Sequence, residues 1–160
     1  MSIKKFADLL SFQLMLLEKI EIVMEHETEA LSNINLDKLP DINLQKEDLS
    51  AEIEQTIINL RQLMTEQATK AGISPAATLG AIAEAIDLPE ITALHKSLNT
   101  AAERVRDTAT INREIAEHFA ETAGSTLNIL TGLINQTSVY GASGSYQQRT
   151  TGSMMINREA

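Results

Sequence analysis

The sequence has no cysteine, no tryptophan, and only 3% aromatic residues in total. Lacking cysteine, it can form neither disulfides nor thiolate zinc sites and has no Cys nucleophile, which is what a reduced compartment such as the cytoplasm permits. Basic residues are also scarce. Lys plus Arg number 13 against 22 Asp plus Glu, and the resulting net charge of -9 repels a phosphate backbone, so nucleic acid is not an expected partner. No run reaches the roughly 20 apolar residues of a spanning helix, because Leu14 to Leu17 is followed at once by Glu18 and Lys19. The start, with Lys4 and Lys5, is broken by Asp8, Gln13 and Glu18 and has no small-residue cleavage site, so it does not read as a signal peptide. These absences describe a soluble chain without stable membrane insertion.

What is present is Leu, Ile and Ala in helical spacing, within a total of 160 residues that suits one domain and a tail. Over about 3 to 36, Phe6, Leu10, Gln13, Leu17, Ile20, Met24, Glu27, Leu31 and Ile34 recur at intervals of three and four, a coiled-coil-like seam. A second file at Leu9, Leu16 and Val23 widens the apolar stripe, so this helix should touch more than one neighbour. Around Leu36 to Pro40 the pattern breaks into a turn. A second helix from about 40 to 71 turns Ile42, Leu49, Ile53, Ile57, Leu60 and Met64 inward, and Gly72 is placed to cap it. Ser74 and Pro75 read as the N-cap and first position of a short helix over 75–86. Asp87 followed by Glu90 reads as a variant capping box opening the last helix, 89–136. That helix would be roughly 70 Å long, so the expected fold is all-α: an elongated antiparallel helical hairpin or bundle with coiled-coil-like packing, unless Gly124 bends it. The domain reading is a helical domain over 1–136 and a flexible tail over 137–160, where Gly141, Gly144 and Gly152 lie among Ser, Thr and Gln.

Catalytic chemistry is not assembled by this inventory, and no enzyme is expected. His118 shares a face with Glu114 and Glu121, but none of the three histidines has the Glu three residues before it that di-metal bundles use, so a solvated charged face is the better reading and no metal or cofactor is expected. A histidine phosphotransfer bundle is one alternative. It wants Lys three residues after the histidine and then Gly, whereas His95 precedes Lys96, Ser97 and Leu98, and His118 precedes Phe119, Ala120 and the repelling Glu121. Gly141 to Gly144 lacks the spacing of a nucleophile elbow. Met15, Met24 and Met64 read as core filler, and Asn112, polar within an apolar seam, as a register-fixing or cross-bundle residue. A generic coiled-coil scaffold is the other alternative, and a homo-oligomer is possible because a second copy could fill the wide stripe.

Leu9, Leu10, Leu17, Glu18 and Glu21 on a long first helix, the step Leu39, Ile42, Lys46 and Glu47 into a second with Leu60 and Arg61 near its end, then Leu98, Val105, Asn112 and Ile115 and a closing Tyr140-Gly141-Ala142-Ser143-Gly144 form a layout that resembles the FlgN family of flagellar export chaperones. The resemblance implies a cytoplasmic chaperone that binds the hook-associated (hook-filament junction) proteins FlgK and FlgL, prevents their premature assembly and delivers them to the flagellar type III export apparatus. It implies cargo recognition in the C-terminal part, where the matching positions are Leu127, Ile129, Leu130, Leu133, Ile134, Val139 and Tyr140. Leu127, Ile129, Leu130, Leu133 and Ile134 occupy several faces of the helix at once, more than one core-facing stripe buries. The extra length after Gly144, with Met154, Met155 and Ile156, departs from the simplest family pattern.

Overall fold

The structure, a computed structural model, describes residues 2–137 and, within them, the side chains of 3–134. Val139, Tyr140 and nearly all of the segment read as a tail lie outside the described residues. Four α-helices follow one another: α1 Ser2–Ser32, α2 Leu39–Lys70, α3 Leu79–Ile86 and α4 Pro89–Thr137, with a 3-10 turn at Leu36–Lys38 between the first two. No strand occurs among the described residues. The all-α class and the helical bundle are as the sequence indicates.

The chain divides into two units, Met1–Glu117 and a second beginning at His118; α4 contributes its first turns to one and its last turns to the other. In the first unit all four helices meet in one core. Phe6 and Leu10 of α1, Leu60 and Leu63 of α2, Ile82 and Ala83 of α3, and Ile91 and Leu98 of α4 are buried together. Each large side chain among them contributes about 1.5–3 kcal/mol by leaving water. A smaller cluster of Val23, Ala30 and Ile42 holds α1 and α2 together near their connecting turn.

The two halves of the wide α1 stripe serve different neighbours. Lys46 of α2 meets Glu27, whereas Leu9 lies beside Gln62 and Leu63, so residue numbers rise on one helix as they fall on the other and the pair is antiparallel. Along α4 the relation is different. Arg104 reaches Glu21 and Asn112 reaches Met24, Glu27 and Thr28, with sequence separations of 83 to 88, and a nearly constant separation means that α4 runs parallel to α1.

Helix ends follow local chemistry and correct several sequence readings. α1 stops at Ser32 rather than near residue 36, and Ile34 enters the left-handed region at φ 55, exposed instead of continuing the seam. Gly72 does close α2: at φ 72 its N–H donates to the Thr69 carbonyl while Ile73 donates to that of Ala68, the paired bonds of a Schellman cap. Ser74 and Pro75 do not open α3. They form a turn closed by the Ala77 N–H donating to the Ser74 carbonyl, and the cap is Thr78, whose Oγ1 accepts from Ala81 N at 3.3 Å. Asp87 is likewise not the cap of α4 but the left-handed C-cap of α3, at φ 51, and Pro89 begins the last helix. Gly124 lies inside uninterrupted helix.

Candidate partner-binding surface

The face of α4 that carries Leu98, Ala101 and Asn112 is buried against the bundle. Carrying the α1–α4 offset forward brings Leu31, near the end of α1, opposite the neighbourhood of Ile115, the last described residue of α4 that is not exposed. From Ala116 to Ile134 every described residue is exposed. The apolar pattern does not stop there.

Phe119, Leu127, Leu130, Leu133 and Ile134 continue it, and at 100° per residue they fall within an arc of roughly 120° that coincides with the buried arc of the earlier turns. Ile129 extends the arc by roughly 40°. Leu127, Ile129 and Leu130 are 64%, 65% and 50% exposed, and Leu133 and Ile134 are exposed as well. The second unit thus presents one broad apolar helix face, rather than several separate faces, made of five residues singled out in the sequence together with Phe119. Its signal was the seam itself: it stands at the same helical phase as Leu130 and Leu133. The surroundings carry almost no charge. From Thr122 to Gln148 the sequence has no Asp, Glu, Lys, Arg or His.

Elsewhere the polar groups are engaged in structure. Asn112, 4% exposed, donates from Nδ2 to the Met24 carbonyl at 2.8 Å and to Glu27 Oε2 at 2.9 Å, and its Oδ1 accepts from Thr28 Oγ1. Glu27 in turn receives Lys46 Nζ at 2.7 Å, so α1, α2 and α4 share one polar node. The cross-bundle role expected of Asn112 is the one it has. Of the histidines, His26 and His118 are exposed, and His95 is half-buried with its ring against Gly80, where a Cβ would lie 3.1 Å from its Cε1. An open cleft at the α1–α2 turn, lined by His26, Glu29, Asn35, Lys38 and Asp41, brings polar side chains together. Among the described residues no group of three or more His, Cys, Asp or Glu is arranged to hold a metal ion, and no helix is long and apolar enough to cross a membrane.

What the arrangement offers is a helix face able to receive another helix. A family model described as FlgN protein matches residues 1–148, which takes in both the bundle and the exposed face of α4. No curated protein and no solved structure matches the chain. With a match extending over nearly its whole length, the chain belongs to the FlgN family.

Proposed function

We propose that this protein is a flagellar export chaperone that binds the hook-associated proteins FlgK and FlgL in the cytoplasm, prevents their premature assembly and delivers them to the type III export apparatus. The observation that carries the reading is the apolar face of α4 beyond residue 116, where Phe119, Leu127, Ile129 and Leu130 are exposed on a regular helix. An amphipathic helix from a cargo terminus laid along that face buries it, with anchors at i, i+3, i+4 and i+7. Leu133 and Ile134 extend the same surface, and Val139 and Tyr140 follow it in sequence. The division into a helical domain, 1–136, and a tail, 137–160, belongs to this reading, and the affinity stays moderate enough for release.

The phosphotransfer alternative gains no support from His95, whose ring packs on Gly80 and whose Nε2 accepts from Asn99 Nδ2 at 3.1 Å. Titration calorimetry of the chain with purified FlgK and FlgL tests the chaperone reading. Truncation after Gln136 should weaken binding while the helical signal of the bundle persists, and adding Leu133→Ala and Ile134→Ala should deepen the loss. Undiminished affinity of the truncated, doubly substituted chain would put the site elsewhere.

A further inference from the structure

The outer face of α2 carries a second apolar pattern that the bundle does not use. Leu44, Ala51 and Ile58 stand seven residues apart, so they form one ridge roughly 21 Å long that drifts by only about 20° per step. The ridge lies roughly 160–200° around the helix from Ile42 and Leu60, which α2 buries. Leu44 and Ile58 are both 59% exposed, and Ala51 is exposed between them. Acids flank the ridge on both sides. Glu47 and Asp48 follow Leu44 by three and four residues and Glu54 follows Ala51 by three, and these exposed carboxylates form no ion pair among the described residues. The one base between residues 41 and 58, Lys46, is held by Glu27 at 2.7 Å, and only past Ile58 does another, Arg61, take a flanking position.

We infer that the ridge of Leu44, Ala51 and Ile58 docks an α-helix of another protein, one that carries an apolar seam flanked by Lys and Arg. The seven-residue repeat suits a helix, which alone returns its side chains to one line at that interval. Ala51, small between two large residues, leaves a shallow hollow beside it lined by Asn43, Glu47, Ser50 and Glu54, and a large apolar side chain of the partner seats there as a knob. Lys and Arg stems then lie along the ridge while their heads reach Glu47, Asp48 and Glu54. The same charges exclude other occupants. A second copy would bring Glu47 against Glu54 in an antiparallel pair or Glu47 against Asp48 in a parallel one, acid on acid either way. An anionic membrane surface is repelled likewise, whereas the net charge of -9 draws a basic partner in.

A seam this short buries less than the 1,200–2,000 Å² or so of stable interfaces, and exposed ion pairs add little each, so the contact is weak and exchanges. It differs in kind from the proposed cargo face. The ridge belongs to the first unit and sorts partners by charge, whereas α4 beyond Thr122 carries no charge with which to sort them. Docking on α2 therefore holds whether or not α4 takes cargo.

Titration of the full chain with three synthetic peptides is the test: a helix of about three heptads with a Leu seam flanked by Lys and Arg, the same seam flanked by Glu, and the basic composition scrambled so that no seam remains. The basic helix should bind roughly tenfold or more tighter than either of the others. That preference should fade between about 0.1 and 1 M salt, as the screening length shrinks from about 10 to 3 Å. Leu44→Ala with Ile58→Ala should weaken the basic helix by roughly tenfold, and Glu47→Lys with Glu54→Lys should transfer the preference to the acidic one. All four positions are exposed, so helical circular dichroism should be unchanged. Leu127→Ala with Leu130→Ala should leave binding of the basic helix as it was. Equal binding of the basic and acidic helices, or of the seamed and scrambled basic peptides, overturns the inference. So does undiminished affinity after Leu44→Ala with Ile58→Ala, or no binding of the basic helix up to about 1 mM. A chain that sorts the peptides at α2 yet ignores FlgK and FlgL keeps the docking ridge and removes the chaperone reading. One that binds FlgK or FlgL through Leu130 and does not sort the peptides does the reverse.

Discussion

Asn112 of α4 commits both hydrogens of its side-chain amide to α1, one to the Met24 carbonyl and one to Glu27 Oε2. Within an apolar seam such a residue specifies register, because a shift of α4 by one turn would leave the buried amide without its partners on α1. Asn112→Ala should cost about 1–2 kcal/mol in urea unfolding. The cost stays moderate because Glu27 keeps Lys46, and the single Thr28 hydroxyl hydrogen, released from Asn112 Oδ1, has the Met24 carbonyl 3.0 Å away to donate to. A double-mutant cycle of Asn112→Ala with Lys46→Met should show coupling through Glu27 of about 0.5 kcal/mol or more, while the same cycle with Arg104→Met, whose target is Glu21, should be additive. Strict additivity in both cycles would remove the node as a unit.

Gln13 is the counterexample in the same bundle. It is 6% exposed in the α1 seam, and its Oε1 has no hydrogen-bond partner among the described residues. A buried acceptor left unmade costs about 1–3 kcal/mol, so Gln13→Met, which keeps the volume and removes the acceptor, should raise the unfolding free energy by about 1 kcal/mol. A lower midpoint in urea would mean that the amide is satisfied in solution.

How much of this was legible beforehand differs by feature. The α1 seam through Phe6, Leu10 and Met24, the span of α4 and the cross-bundle place of Asn112 all follow from periodicity, because a face that must be buried repeats over many turns and single errors average out. Helix starts and ends rest on one or two residues and have no such averaging. Ser74 and Thr78 are both sound caps, and the choice of Thr78 depends on where α3 must begin to bring Ile82 and Ala83 into the core. Asp87 reads equally well as the first residue of one helix or the last of another, and the reversal between α3 and α4 decides for the latter. The candidate surface shows the same limit in another form. Leu98 and Leu130 share residue type and helix face, and periodicity reports a face without saying what covers it. Coverage is set by where α1 ends, which the sequence seam, running on through Leu31 to Ile34, does not reveal.

Gly72 offers a test of backbone strain uncomplicated by packing. It stands at φ 72, and a Cβ there would meet nothing within 4 Å, so no contact offsets or adds to the conformational cost. Gly72→Ala should therefore destabilise by roughly 1–2 kcal/mol, the cost of placing an L side chain in the left-handed region. Gly72→Asn, tolerated better at such caps, should lose less. Equal losses for both would point to a cause other than φ.

Leu98 and Leu130 separate folding from binding. Leu98 is 7% exposed within the four-helix core, where Leu→Ala removes apolar contacts and leaves a cavity, so Leu98→Ala should cost about 2–5 kcal/mol of stability. Leu130 is 50% exposed on the same helix face, and in the isolated chain its substitution exposes no new surface and opens no cavity. Leu130→Ala should shift stability by no more than about 0.5 kcal/mol. Against FlgK or FlgL the order should invert. Leu98→Ala, measured where the variant is still folded, should bind nearly as the natural chain does, because Leu98 faces the bundle rather than cargo. Leu130→Ala should weaken binding by roughly tenfold or more if it is a central anchor, each tenfold being about 1.4 kcal/mol. Both substitutions delete the same atoms from the same type of residue on the same face of one helix. The difference between them thus reports whether α1 or a partner is what the seam was made to meet, and a Leu130→Ala variant that lost stability but kept its affinity would assign that stretch to the fold instead.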